Sequence, residues 1–223
     1  VATAISEQYL PDGEDSTLPS TPLSGVVAMS IKIDTLLGLF SVNQIPTGSR
    51  DPFALRRAVN GLVRIINEFE FSFDIVETMK ELSQNYSEID LVKLEAFILE
   101  RVKRYYDVNP SIIEAVLASG ERDFLRLAQK IKALNNLVNA EGFDEVSSTF
   151  KRVANITKDI DLSKDHAVET SLLSEAAEKE LFKRYSDVSA VSFNSYEEEL
   201  DALLGLKPEL DSFFENVMVN AED

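Results

Sequence analysis

An all-α helical bundle is the fold class that this chain of 223 residues predicts, and three observations carry the expectation. From Ser24 onward nearly every segment spaces its apolar residues three and four apart, the period of a helix with one buried face. Strand-like alternation is confined to one short stretch, Val188–Phe193. Two dipeptides, Asp51-Pro52 and Asn109-Pro110, have the form of a capping side chain followed by proline at a first helical position.

The elements follow in order. Residues 9–23 hold three of the seven prolines and read as a loop. Ser24 then precedes Val26, Met29, Ile33, Leu36, Leu37 and Phe40, an apolar stripe. Pro46 and Gly48 mark a turn, and Thr47-Gly48-Ser49 reads as a plain structural turn rather than an anion cradle, since no P-loop pattern surrounds it. The helix expected from Asp51-Pro52 carries Phe53, Leu55, Val59, Leu62, Val63 and Ile66 on its apolar face, with Arg56, Arg57 and Arg64 on its polar one. A short helix is expected around Phe73–Leu82, and a longer one through Ile89, Val92, Leu94, Phe97, Ile98 and Val102. Asn109-Pro110 opens the next, bearing Ile112, Ile113, Val116 and Leu117. Further helices are expected over Asp123–Asn139, Phe143–Thr157, Ser174–Tyr185, Tyr196–Leu204 and Pro208–Val219. No internal repeat or low-complexity segment interrupts them. A boundary is expected between the polar turns near Asn85–Glu88, giving units of residues 1–86 and 87–223; one continuous helical stack is the alternative.

Composition narrows the chemistry. The chain has no cysteine, which excludes disulfides and thiolate catalysis. No run of eighteen apolar residues and no signal-peptide pattern is present, so a cytoplasmic protein without a membrane partner is expected. The net charge of −17 argues against nucleic acid, but its distribution does not. From Val168 to Asp223 there are 14 acidic and 4 basic residues, a net of −10; from Arg101 to Lys158 there are 10 basic and 7 acidic, a net of +3. Phosphate responds to the local face, so the middle third is where a basic surface is expected.

Few residues suit catalysis. The single histidine, His166, lies among Lys164, Asp165 and Glu169 and reads as solvated. No metal site is expected, because several nitrogen or oxygen ligands must converge and one histidine does not supply them. Asp34 reads as a polar contact with Lys32 within one helix. Arg56 and Arg57 read either as structural, pairing with carboxylates of neighbouring helices, or as phosphate contacts. Lys130, Lys132, Lys151, Arg152, Asn155 and Lys158 are the stronger nucleic-acid candidates. Lys151, Asn155 and Lys158 are four and three apart and share a helix face, which a plain solvated surface would also explain. Phe143 and Phe150 could stack on an unpaired base, but core packing is the simpler role, and Phe213-Phe214 reads as core.

The run Pro46-Thr-Gly-Ser-Arg-Asp-Pro-Phe-Ala-Leu-Arg-Arg57 resembles a signature of the β subunits of bacterial heterotetrameric glycyl-tRNA synthetases, usually PTGS-Lys-or-Arg-DPFALRR. Lys32-Ile-Asp-Thr-Leu-Leu-Gly-Leu-Phe40 is similar to that family's DKLDTL-x-G-x-F, with Ile31 where Asp is usual. Lys151–Ile156 and Pro208–Asp223 resemble its C-terminal, DALR-type anticodon-binding domain, shared with arginyl-tRNA synthetases. The resemblance runs in order from about Tyr9 to the last residue. It implies a C-terminal piece of a longer subunit: the tail of a helical body similar to HD-type phosphohydrolases in residues 1–86, then an anticodon-binding helical domain in 87–223. It implies tRNA(Gly) and the α subunit of an α2β2 tetramer as partners, and no cofactor in this piece. ATP and Mg serve on the α subunit, which makes the glycyl bond. It favours the tRNA reading of Lys130, Lys132, Lys151, Arg152, Asn155 and Lys158. A non-catalytic scaffold within the same synthetase, or a degenerate phosphohydrolase, are the alternatives.

Overall fold

The computed structural model describes residues 1–160 and 168–218. Among these the architecture is all-α, and no strand occurs; pairing of the β type is limited to two isolated bridges, Thr47 with Arg50 and Asp74 with Asp123. The Val188–Phe193 stretch is not a strand, because Val188 closes a helix with its side chain buried. Compactness divides the chain into Val1–Lys132 and Ala133–Asp223. The boundary expected at 86–87 falls inside the first of these, just before Asp90 caps a helix.

The first unit contains α1 (Ala2–Ser6), α2 (Pro22–Ser41), α3 (Leu55–Phe69), α4 (Ile75–Ser83), α5 (Leu91–Tyr105) and α6 (Pro110–Ala118); α7 (Phe124–Val138) begins in it. Side-chain oxygens start most of these helices. Thr21 accepts from Ser24 N at 3.2 Å, Asp74 from Glu77 N at 2.8 Å, Asp90 from Lys93 N at 3.0 Å and Asn109 from Ser111 N at 3.0 Å. Each satisfies an amide that the helix itself leaves open. Asp123 accepts from Leu125 N and Arg126 N through one oxygen and from the Ser72 hydroxyl through the other, tying the loop before α4 to the start of α7.

α3 departs from expectation. It begins at Leu55, not at Asp51-Pro52, because Ala54 adopts the left-handed conformation with φ 58°. Asp51 still acts as the cap from outside the helix: its two oxygens accept from Leu55 N at 2.9 Å and Arg56 N at 3.1 Å. Phe53 is thereby excluded from the apolar face and remains 47% exposed. Val26 and Val92, also expected on buried stripes, are exposed too.

The core of this unit is the pairing of α2 with α3. Ala28, Leu36 and Leu37 of α2 and Leu55, Val59, Leu62, Val63, Ile65 and Ile66 of α3 are fully buried. Glycine permits the approach at both ends of the contact. A Cβ on Gly25 would lie 2.9 Å from the Phe69 ring, and one on Gly61 would lie 2.7 Å from Lys32 Cε. Lys32 passes over Gly61 and donates from Nζ to the carbonyls of Tyr9 (3.1 Å) and Pro11 (3.0 Å). It does not pair with Asp34, which accepts instead from the Tyr86 hydroxyl. Arg57 donates to the Asp12 carbonyl at 3.3 Å, and Arg64 to those of Gly13 (3.0 Å) and Ser16 (2.7 Å). Three cations thus hold the proline-bearing loop through its backbone.

The second unit contains α8 (Phe143–Thr157), a 3-10 turn at Thr170–Leu172, α9 (Ala176–Ser189), α10 (Tyr196–Leu204) and α11 (Lys207–Asn216). Its core is thin. Among its described residues only Ala133, Thr149, Ala177, Val188 and Leu206 are buried. Phe213 and Phe214, expected in the core, are half-buried, as are Phe143 and Phe150. α11 packs on α9 and α8.

Two predictions follow from the first unit's geometry. Asp51→Ala removes the acceptor for two first-turn amides and is expected to cost about 1 kcal/mol, read as a lower urea midpoint; Asp51→Asn should retain most of it. An unchanged midpoint for Asp51→Ala would mean that water caps α3 equally well. The second concerns pH. Burial pushes the Lys32 ammonium down to about 8, against an opposing pull from the Asp12 carboxylate. An unfolded lysine keeps its proton to about 10.4, so between these values the unfolded chain binds more protons and stability rises with pH. Tyr86 and Tyr106, raised to about 12, act oppositely but only above about pH 10. From pH 8 to 10 the wild-type protein should therefore gain stability relative to Lys32→Met; parallel profiles would contradict the buried charge.

Candidate nucleic-acid interface

The face that the spacing singles out is real in three dimensions. α8 turns Thr149 inward, where its hydroxyl donates to Asp211 of α11 at 2.7 Å. Lys207 Nζ reaches the other oxygen of the same carboxylate at 2.5 Å. These two bonds, Lys207 first and Thr149 second, hold the Asp211 carboxyl below its ordinary range. With that side of α8 fixed on α11, Ser148, Lys151, Asn155 and Lys158 are left exposed. They recur at three- and four-residue intervals, so one strip of the helix offers two ammonium groups, an amide and a hydroxyl. Ser148 extends the set by one turn and was hidden from charge counting because it is neutral. Lys158 stands at the C-cap, where the helix dipole favours a cation whatever else it does.

The other candidates are not brought to this strip. Arg152 turns towards α11: its guanidinium lies 4.2 Å from the Phe214 ring centre and Nη2 donates to the Phe214 carbonyl at 3.5 Å. Lys130 is paired with Glu121 at 2.7 Å. Lys132 is exposed on α7, at the end of the first unit. Among the described residues neither Arg56 nor Arg57 forms a hydrogen-bonded ion pair, although Arg56, after Arg101 and Arg104, helps to hold the Glu100 carboxyl of α5 below its ordinary range. Arg56 and Arg57 donate to the backbone carbonyls of Gly48 and Asp12, and the Thr47–Ser49 segment is a turn closed by Arg50 N on the Thr47 carbonyl.

Charge pairing sharpens the selection. Arg101 and Arg104 share Glu100, Lys103 pairs with Glu114, Arg122 with Glu95, and Arg126 lies 4.0 Å from Asp123. With Lys130 these are six of the ten cations between residues 101 and 158; the other four are Lys132, Lys151, Arg152 and Lys158. α9 adds exposed Lys183 and Arg184 beside Tyr185, which is 52% exposed. The −10 total of the last third concealed them, although Lys183-Arg184-Tyr185 is legible as a basic–aromatic run.

His166 lies outside the described residues. Among the described residues no three His, Cys, Asp or Glu side chains form a group that could hold a metal ion.

Among the described residues the protein is all-helical, with two lysines, an asparagine and a serine exposed along one strip of α8. The sequence model of the family described as glycyl-tRNA synthetase beta subunit matches residues 1–118, more than half of the chain. This chain belongs to the glycyl-tRNA synthetase beta subunit family. It is 40% identical over 230 residues to the glycine–tRNA ligase beta subunit of Helicobacter pylori strain G27, covering 100% of this chain and 33% of the relative. The corresponding subunit of Vibrio parahaemolyticus is 35% identical over 239 residues, covering 100% and 34%, and that of Solidesulfovibrio magneticus 34% over 240 residues, covering 99% and 34%. The chain therefore spans about a third of the length of the curated relatives it matches. The family match ends within α6, whereas the relatives extend across α8 as well.

Because Arg152 is engaged by Phe214, its truncation should act on stability. Arg152→Ala is expected to lower the stability of the second unit by about 0.5–1 kcal/mol, measured by urea titration, and Arg152→Lys by less. A loss confined to ligand binding would reassign Arg152 to the exposed strip.

Proposed function

We propose that this chain is a tRNA-holding part of glycine–tRNA ligase, and that the α8 strip contacts the anticodon arm of tRNA(Gly) in the cytoplasm. The observation that carries the reading is the co-exposure of Lys151, Asn155 and Lys158 on a helix whose opposite side is fixed to α11. Family membership makes tRNA the fitting polyanion. In this reading Lys151 and Lys158 neutralise backbone phosphates. The Asn155 amide, which both donates and accepts, meets a base edge in the unpaired loop. Glycine activation, with ATP and Mg, belongs to the α subunit of an α2β2 assembly, and this chain contributes binding and positioning. A scaffold role has its own support in the first unit, where Arg57, Arg64 and Lys32 are all committed to backbone carbonyls. The two readings therefore divide between the units: α8 binds, and the α2–α3 body supports.

The test is a titration of Lys151→Ala and Asn155→Ala against tRNA(Gly) and an anticodon-swapped control at two salt concentrations. Lys151→Ala should weaken both tRNAs alike and flatten the salt slope by roughly one unit. Asn155→Ala should leave the slope unchanged and narrow the preference for tRNA(Gly). Parental behaviour of both variants would leave the strip merely solvated and make the scaffold reading the better one.

A further inference from the structure

α2 is long and apolar enough to cross a membrane by composition alone: 20 residues, with a mean hydropathy of 1.6 and only half of the window buried. It is nonetheless a core helix, since it buries Lys32 and packs against α1, α3 and α4. A helix this apolar around its circumference requires cover on every side. On α2 that cover is incomplete. Leu23 is 55% and Val26 50% exposed. Beside Val26 a cavity of about 670 Å³ opens between α2, the Phe71–Phe73 loop, α4 and Tyr86. Its walls are Val26, Met29, Ile33 and Leu37 on one side and Phe71 and Leu82 on the other. Ser30, Ser72, Thr78 and Asn85 also line it, and the charged group among the lining residues is Asp34, exposed and accepting the Tyr86 hydroxyl.

We propose that this face docks a helix from the part of the β subunit that lies outside these 223 residues, its apolar side entering the cavity and a lysine or arginine meeting Asp34. The relatives match over 33–34% of their length, so about two thirds of such a subunit must pack elsewhere or against this third. An apolar wall with one anionic acceptor at its edge suits an amphipathic helix carrying a cation on its flank. A second copy fits poorly, because self-association would add two chains of net charge −17 and bring a second Asp34 to the contact. An anionic lipid surface is opposed by the same charge. The proposal rests on family membership and not on tRNA binding by α8, so the two stand or fall separately.

The absence of cysteine makes the test direct. Val26→Cys and Ser30→Cys are introduced into the 223-residue chain and into the full-length subunit, and maleimide labelling is followed by peptide mass mapping, each rate normalised to the same protein in urea. Both positions should label about ten-fold or more slowly in the full-length subunit, with fast labelling in the shorter chain. Equal rates in the two proteins overturn the proposal. Slowing in the shorter chain that grows with its concentration also overturns it, assigning the face to a second copy. Val26→Arg gives an independent reading: it should lower the unfolding temperature of the full-length subunit and leave that of the shorter chain nearly unchanged, and equal effects would count against docking.

Discussion

The ammonium of Lys32, folded over Gly61 and bound to two carbonyls of a loop that precedes it, is the constraint on which the first unit depends. It joins three things that the apolar core cannot join by itself. Its stem fits where α2 meets α3 because Gly61 leaves room for it: a Cβ there would lie 2.7 Å from Lys32 Cε. It satisfies carbonyls of a turn that contains no helix or strand to absorb them. It fixes that turn against α2, so that Arg57 and Arg64 of α3 find Asp12, Gly13 and Ser16 within reach. Burying a charge is unfavourable unless hydrogen bonds compensate; here the two carbonyls accept from the ammonium, burial lowers its proton affinity and the Asp12 carboxylate opposes that shift.

Much of this architecture is legible from spacing. α8 and α10 begin and end where the periodicity places them, and α6 starts at the proline after Asn109. The exceptions have local causes. The start of α3 is displaced because Ala54 goes left-handed, a choice that no pattern of apolar residues encodes; the cap at Asp51 survives because a carboxylate can reach across the intervening turn. Lys32 and Asp34 lie two apart and point to different sides of α2, so their true partners, Tyr9 and Pro11 for one and Tyr86 for the other, are distant in sequence. Long-range carbonyl partners leave no mark in composition. The hydrogen-bond partners of Arg56 and Arg57 are likewise backbone oxygens, which composition does not mark.

The candidate strip was legible to a different degree. Helical spacing groups Lys151, Asn155 and Lys158 correctly, but it cannot tell that Arg152, one residue along, is drawn onto Phe214. Position on the helix decides this: α8 is oriented by the Thr149–Asp211 bond, and Arg152 lies towards α11 from that bond while Lys151 lies away from it. The polar Thr149–Asp211 contact and the half-buried side made by Phe143, Val146, Phe150, Val153 and Ile156 together leave Lys151, Asn155 and Lys158 exposed.

The thin core of the second unit bears on how an acidic chain can present a cationic strip. Many of the acidic residues of the second unit have structural work near helix starts: Glu175 and Glu178 form a capping box on α9, Glu197, Glu198 and Glu199 occupy the first turn of α10, and Asp144 and Glu145 that of α8. There they complement the helix dipole, a local gain that helps short helices with little buried surface. Their field is screened within about 8 Å at physiological salt, so it weakens the Lys151–Lys158 strip less than the total charge suggests. The acidity of the chain and the cations of α8 are thus compatible: the carboxylates at helix starts act locally on short helices, and the cations of α8 act over the same short range.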